Sequence, residues 1–493
     1  MTLDTNALSA WAERLAPVEA PLRSGAMPLP TTRRDFLKSA LVGLGACFGT
    51  PSWAAQPTVD RDRFGGWTGL KFDATGFFHT EHDGRRWWLV TPEGHAFISW
   101  GVNHYHSGWW AQDYNRDYWL RRFGAEEVDD PAWNRGFREA ALADLRRLGL
   151  NTLGIHTNAT MLTHPPGQAR FPFVAPYEPL VLSHYLKPQP DAYADIFAPE
   201  FEAQCERRAE RVAAPYRDDP MVLGYCMADC PPLTDNEAEW NGSTTWPRRL
   251  RNFAAETPGK QAYVDFMRER YGDVSGFNAT YDTRFGAWSD LLSATDWRPD
   301  QAPLNQSERD DNAAFLLLCV DRYYSVARAA LRRADPNHLF LGDKINGDTD
   351  GLDSIAAVTS RYTDLVNTQH YARWEGQRAT MDRLTDTVGQ PFLNGDAAYT
   401  TPTETMPDPH GQHARDMTER ALWTREFMEN ATARPDFVGW HMCGMIDTAN
   451  TMPGKEQNQH QGLMTTRGEF YPEMEAAVRH ISDRLYVIAT SRG

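Results

Sequence analysis

Little in this chain points to a membrane, a nucleic acid or a disulfide framework. No stretch beyond residue 56 is apolar enough, over the about 20 residues a helix needs, to span a bilayer. No long run of Lys or Arg follows the N-terminus, and 66 acidic residues exceed 50 basic ones, for a formal net charge of −16. A duplex nucleic-acid binder needs a basic face, and an anionic membrane surface would repel this balance. Cysteine is sparse, six in 493 residues: Cys47, Cys205, Cys226, Cys230, Cys319 and Cys443. None forms a C-x-x-C pair, and no partner pair at zinc-site spacing accompanies Cys226 and Cys230. Buried free thiols are the expectation. The Gly-rich phosphate turn of dinucleotide folds is missing, as is the G-x-S-x-G elbow that an esterase would carry. The histidines show no metal-ligand spacing, so no catalytic metal and no cofactor is expected.

What is abundant is aromatic. Phe, Trp and Tyr make up 12% of the chain, with 17 Trp. Such enrichment serves either a large aromatic core or sugar binding, since the apolar face of a pyranose stacks on indole.

The N-terminus carries an address. Arg33-Arg34, followed by Asp35-Phe36-Leu37-Lys38, resembles the twin-arginine export motif, and the apolar stretch from Ala40 to Phe48 is too short to cross a bilayer. Ser52-Trp53-Ala54 offers a small-x-small cleavage site. Leu44-Gly45-Ala46-Cys47 also resembles a lipoprotein box, with Cys47 as the lipidated residue. Residues 1–55 are therefore expected to be a leader outside the fold, read by the twin-arginine export machinery. Residues 56–493 are expected to form one catalytic domain, periplasmic or secreted, soluble or lipid-anchored.

In that domain β-like and helical segments alternate, the pattern of a parallel sheet with crossover helices. Residues 77–102 open with a hairpin about Thr91-Pro92-Glu93-Gly94, and the run Ala96–Trp100 continues into Gly101-Val102-Asn103-His104. Asn151–Ile155 ends in His156 and Asn158, and Met221–Met227 ends in Asp229. Leu339–Gly342 leads to Asp343, Lys344 and Asn346, and Leu365–Thr368 to Gln369, His370 and Tyr371. Gln390–Asn394 leads to Asp396, and Phe437–Trp440 to His441. Seven apolar runs thus end in polar or ionisable side chains. In a (β/α)8 barrel all strand C-termini face one side, where the active site sits. The fold class expected is an α/β (β/α)8 barrel with a small N-terminal β-hairpin elaboration.

Glycoside hydrolysis needs two carboxyl groups, one protonating the leaving oxygen, the other attacking the anomeric carbon or activating water. Asp396, at a strand tip among small residues, fits the second role. For the acid, Asp229 has the better place, directly at a strand end, and Glu237 the better local motif. Asp343 is a third carboxylate, which its neighbour Lys344 is expected to hold ionised. With Asn346 the two are read as substrate-binding or electrostatic support. Asn103, His104, His156, Asn158, His370, Tyr371 and His441 are candidates to hydrogen-bond sugar hydroxyls.

Residues from about 66 to 486 resemble the β-agarase-like glycoside hydrolases of clan A. The motifs are Trp87–Gly94, Gly101-Val102-Asn103-His104, Leu148-Gly149-Leu150-Asn151-Thr152, Pro258–Ala262 with Phe266–Gly272, and Val438-Gly439-Trp440-His441. The resemblance implies a carbohydrate substrate, a retaining mechanism, a sugar-stacking role for Trp440, and a role for Tyr371 in supporting the nucleophile. The catalytic positions depart from the family pattern. Gly224-Tyr225-Cys226-Met227 begins as the family does, but Ala228-Asp229-Cys230 stands where it has Asp-Asn-Glu, and Asp235-Asn236-Glu237 supplies that triplet later. Asp396 stands where the family has a nucleophilic Glu. The broken pattern leaves two rivals open, an exported carbohydrate-binding barrel without catalysis and a carbohydrate lyase.

Overall fold

The computed structural model describes residues 59–158, 170–184, 192–449 and 459–491. The twin-arginine motif, the cleavage site and Cys47 lie outside the described residues.

The chain first builds a four-stranded antiparallel sheet from β1 (Trp67–Lys71), β2 (His79–His82), β3 (Trp87–Val90) and β4 (His95–Phe97), in the order β1-β4-β3-β2. The turn Thr91-Pro92-Glu93-Gly94 joins β3 to β4, with Gly94 at φ +86, a conformation suited to glycine. The run from Ala96 to Trp100 is not one strand. It breaks at Ile98, where the chain leaves the sheet for the barrel. Arg86 fastens the sheet to the barrel floor: its buried guanidinium donates to the carbonyls of Thr432, Phe437 and Ala489.

The barrel is closed and parallel. Its strands are β5 (Ser99–Val102), β6 (Thr152–Leu153), β7 (Phe173–Pro176), β8 (Val222–Asp229), β9 (Leu339–Asn346), β10 (Val366–Gln369), β11 (Phe392–Ala397) and, after the short β12 (Tyr399–Thr400) and β13 (Gln412–His413), β14 (Phe437–Met442). β14 closes on β5, pairing Trp440 with Trp100. A further small pair, β15 (Thr448–Ala449) and β16 (Gln459–His460), lies beyond β14. The barrel expected from the sequence is therefore present, with the extra sheet before it. Seven of its strands match the apolar runs. The eighth, β7, escapes a sequence reading because Phe173-Val174-Ala175 is three residues long and stops at Pro176.

Helices lie between the strands for local reasons. Pro131–Leu148 starts on Asp130, whose carboxylate accepts the Trp133 N–H, and stops at Gly149 in the left-handed conformation. Gln306–Ala334 begins with a capping box of Asn305 and Glu308. Most of the aromatic surplus is core: Trp88, Trp100, Trp110, Trp119, Trp133, Trp246 and Trp440 are fully buried. Among the described residues no helix is long and apolar enough to cross a membrane.

Candidate active site

Counting from β5, β8 is the fourth barrel strand and β11 the seventh. Asp229 ends β8 and Asp396 lies near the end of β11, so both carboxylates reach the C-terminal mouth. Lys344, in the fifth strand, stands between them. Its Nζ is 2.9 Å from Asp229 Oδ1 and 2.5 Å from Asp396 Oδ2. Those two oxygens therefore lie no farther apart than about 5.4 Å, the sum of the two distances. All three side chains are almost wholly buried.

The electrostatics follow from that triad. Burial pushes the Asp229 carboxyl up, but Lys344 and His156 outweigh it and hold it well below the ordinary carboxylate range. Burial likewise opposes the Asp396 charge, and Lys344 again prevails, so that pKa is lowered too. Burial would lower Lys344, yet the two carboxylates raise it above its usual value. Both carboxylates and the ammonium are thus ionised together, a buried cluster sustained by mutual charge rather than by solvent.

Around the triad the mouth is built of rings. His156 Nε2 is 2.8 Å from Asp229 Oδ2. Tyr371 donates its hydroxyl to Asp396 Oδ1 at 3.3 Å. The Asp229 N–H donates to Ser183 Oγ, and His184 Nδ1 lies 3.1 Å from the Asp229 carbonyl. The His104 ring stacks on His156 and on His460, at centroid distances of 4.8 and 5.5 Å. His104, His156 and Cys230, each just past a barrel strand, hold φ of +57, +57 and +52. Left-handed backbone at non-glycine residues is costly and concentrates at functional sites. Here it turns both histidine rings across the mouth.

The other candidates divide. Asn103 is buried and donates to the Gly395 carbonyl, bracing the residue before Asp396. His441 faces the barrel interior at Ser99 Oγ, 2.8 Å away, and burial together with Lys344 lowers it to about 3, so it is neutral. Asn158 donates to Ser107 and Asn346 accepts the Asp348 N–H, both as loop braces. His370 is buried at the mouth, 3.4 Å from Asp348.

Three expectations need correction. Asp343 is not held ionised by Lys344, because neighbours along a strand point to opposite faces. Lys344 enters the barrel, whereas Asp343 points outward to the Tyr324 hydroxyl and the Ala228 N–H. Burial there pushes its carboxyl up to about 7. Trp440 does not present a ring to the mouth. It is 1% exposed and packs against Trp100, Tyr399 and Phe427. Glu237 is committed to helix Asp235–Asn241, where its carboxylate accepts the N–H groups of Leu233 and Thr234 and both threonine hydroxyls, of Thr234 and Thr349. It stands outside the Asp229–Lys344–Asp396 triad.

Sequence reasoning missed His184, His410, His460 and Cys443. Cys443 had a signal: it follows the tip of β14 by one residue. His184 and His410 lie in long connections and His460 in the two-residue β16 beyond the barrel, where no apolar run marks them. A ligand atom from each of His104, Asp396 and Cys443 lies within 4.8 Å of the others. A separate cleft of about 410 Å³, lined among others by Asn236, Arg309 and Asp350, does not include Asp229 or Asp396.

No family model matches the chain. It is 22% identical over 299 residues to β-agarase B of Vibrio sp. (strain JT0107), covering 59% of this chain and 30% of that protein. It is 23% identical over 411 residues to β-agarase A of the same strain, covering 77% of this chain and 39% of that protein. The chain thus spans about a third of the length of these curated relatives. Among solved structures, an exo-β-agarase superposes with a TM-score of 0.72 at 18% identity, over 88% of this chain and 68% of the other. Another agarase superposes with a TM-score of 0.70 at 18% identity, over 87% and 68%. The resemblance to β-agarase-like glycoside hydrolases is borne out, in sequence by the curated relatives and in fold by the solved barrels.

Proposed function

We propose that the chain is a glycoside hydrolase of an agar-type polysaccharide or its oligosaccharides, working with retention through Asp396 and Asp229. The observation that carries this reading is the separation of the two carboxylates at the ends of the fourth and seventh strands. The facing oxygens lie at most about 5.4 Å apart, which is compatible with the roughly 5–5.5 Å of retaining enzymes and short of the roughly 6.5–9.5 Å that leaves room for an inverting water. The similarity to β-agarases supports the substrate class.

Asp396, ionised beside Lys344 and steered by the Tyr371 hydroxyl, attacks the anomeric carbon. Asp229 serves the leaving oxygen and then the incoming water. As an ionised carboxylate it must first take up a proton, and His156, 2.8 Å away, is the neighbour placed to pass one. Lys344 has to yield part of its hold on both carboxylates as the sugar enters. His104 and His370 line the mouth for sugar hydroxyls. Upstream, the chain is exported through the twin-arginine route, with residues 1–55 as its leader and residues 56–493 as the catalytic domain. The mass of the mature N-terminus distinguishes cleavage at the Ser52-Trp53-Ala54 site from lipidation at Cys47.

One observation favours a second reading, a carbohydrate-binding barrel without turnover. Lys344 ties up both carboxylates at once. Incubation with agarose and with agar-derived oligosaccharides separates the two readings. New reducing ends with the native chain, abolished in Asp396→Asn and lowered about 10²–10⁴-fold in Asp229→Asn, support hydrolysis. Saturable binding with no product over long incubation supports the binding protein instead.

A further inference from the structure

The glycosidase reading leaves a thiol, Cys443, and a histidine, His460, without a task. Cys443, just past β14, is 3% exposed, and its Sγ lies 3.4 Å from His460 Nδ1. The His104 ring nitrogen also lies within 4.8 Å of the thiol. His104 is turned over it by its left-handed backbone and stacks on the His460 ring. Asp396 completes the group, its ligand oxygen within 4.8 Å of the His104 and Cys443 donors. Three donors from separate segments, an imidazole, a thiol and a carboxylate, thus cluster together, and a second imidazole, His460, reaches the thiol from a fourth segment.

That donor set is selective. Magnesium and calcium take oxygen ligands, whereas thiolate with imidazole suits zinc and its borderline-soft relatives. A tetrahedral zinc, with bonds of about 2.3 Å to sulfur and about 2.0 Å to nitrogen, holds its donors roughly 3.3–3.8 Å apart. The Cys443–His460 pair is already at that spacing, and the His104, Asp396 and Cys443 donors need to draw together by about 1.5 Å at most. The low sequence spacing signal is no obstacle, because the barrel, not a local motif, brings the donors together.

We propose that His104, Asp396, Cys443 and His460 form a binding site for one zinc-class divalent cation. On binding, the Cys443 S–H bond breaks, an S–metal bond forms, and the proton leaves to solvent. Where the glycosidase reading holds, the cation also takes Asp396 from the reaction, so occupancy halts turnover reversibly.

Binding is measured without substrate, which keeps this inference separate from the hydrolase assignment. The full chain, freed of metal by chelator, is titrated with cobalt(II) as the probe. The expected result is one equivalent bound, with a thiolate-to-cobalt charge-transfer band that zinc displaces and that Cys443→Ser abolishes. His460→Ala, at a part-exposed position, should keep the native circular dichroism and weaken cobalt at least the roughly tenfold that even an outer-shell partner is worth. A wild-type chain with no thiolate band, a band that survives Cys443→Ser, or unchanged affinity in folded His460→Ala would overturn the proposal. Zinc inhibition of turnover, reversed by chelator, then tests the regulatory consequence alone.

Discussion

Lys344 decides most of what the site residues do. Its side chain is 1% exposed and joins two carboxylates that are 5% and 3% exposed. Removing one partner of a buried ion pair costs about 3–5 kcal/mol, because the remaining charge is left uncompensated. Lys344→Met should therefore lower unfolding stability by that order and raise both carboxyl pKa values. A denaturant titration showing less than about 1 kcal/mol lost would mean the triad is solvated after all. Asp343, one residue away, obeys different physics. Its carboxyl is raised to about 7 by burial, so the folded state keeps a proton that the unfolded state gives up. That contribution is present in acid, is lost as pH rises from the ordinary carboxylate range toward 7, and stays lost above it. Asp343→Asn, which imitates the protonated form, should gain thermal stability over the native chain as pH goes from 5 to 8. A difference in Tm that stays flat across that range would refute the shift. At this scale the sequence was a partial guide. It named Asp229, Lys344 and Asp396, but assigned Lys344 to Asp343, since adjacency in sequence is not adjacency across a strand.

The strands and their ends were the most legible elements. A parallel strand buried on both sides reads as an apolar run, and its polar tip marks the mouth. β7 stayed hidden because three residues before a proline are too few to read. Trp440 illustrates a limit of motif transfer: the residue sits in the eighth strand as expected, yet its ring turns outward to the helix containing Phe427. Glu237 shows another. Its triplet Asp235-Asn236-Glu237 looks catalytic, but a glutamate three residues after Thr234 is also a capping box. Glu237→Ala should cost about 1 kcal/mol of stability and leave kcat unchanged. A loss of about 10²-fold or more in kcat in a folded variant would return the acid role to Glu237.

Across the whole molecule, the barrel explains why a chain with no local metal or catalytic motif can still hold a dense site. Seven of the eight strands, at or just past their tips, and three long connections deliver side chains to one mouth, from His104 near the start to His460 near the end. The strand tips among these could be read from periodicity. The histidines in the connections could not, because their positions depend on how loops fold over a finished barrel. The proposed double displacement rests on the short spacing of Asp229 and Asp396. Proton NMR of the first product released from an agar-derived oligosaccharide reads that step before mutarotation blurs it. The anomeric configuration of the substrate, kept in the product, is the expected result. An inverted anomer first, or no product at all from the folded native chain, would contradict the assignment.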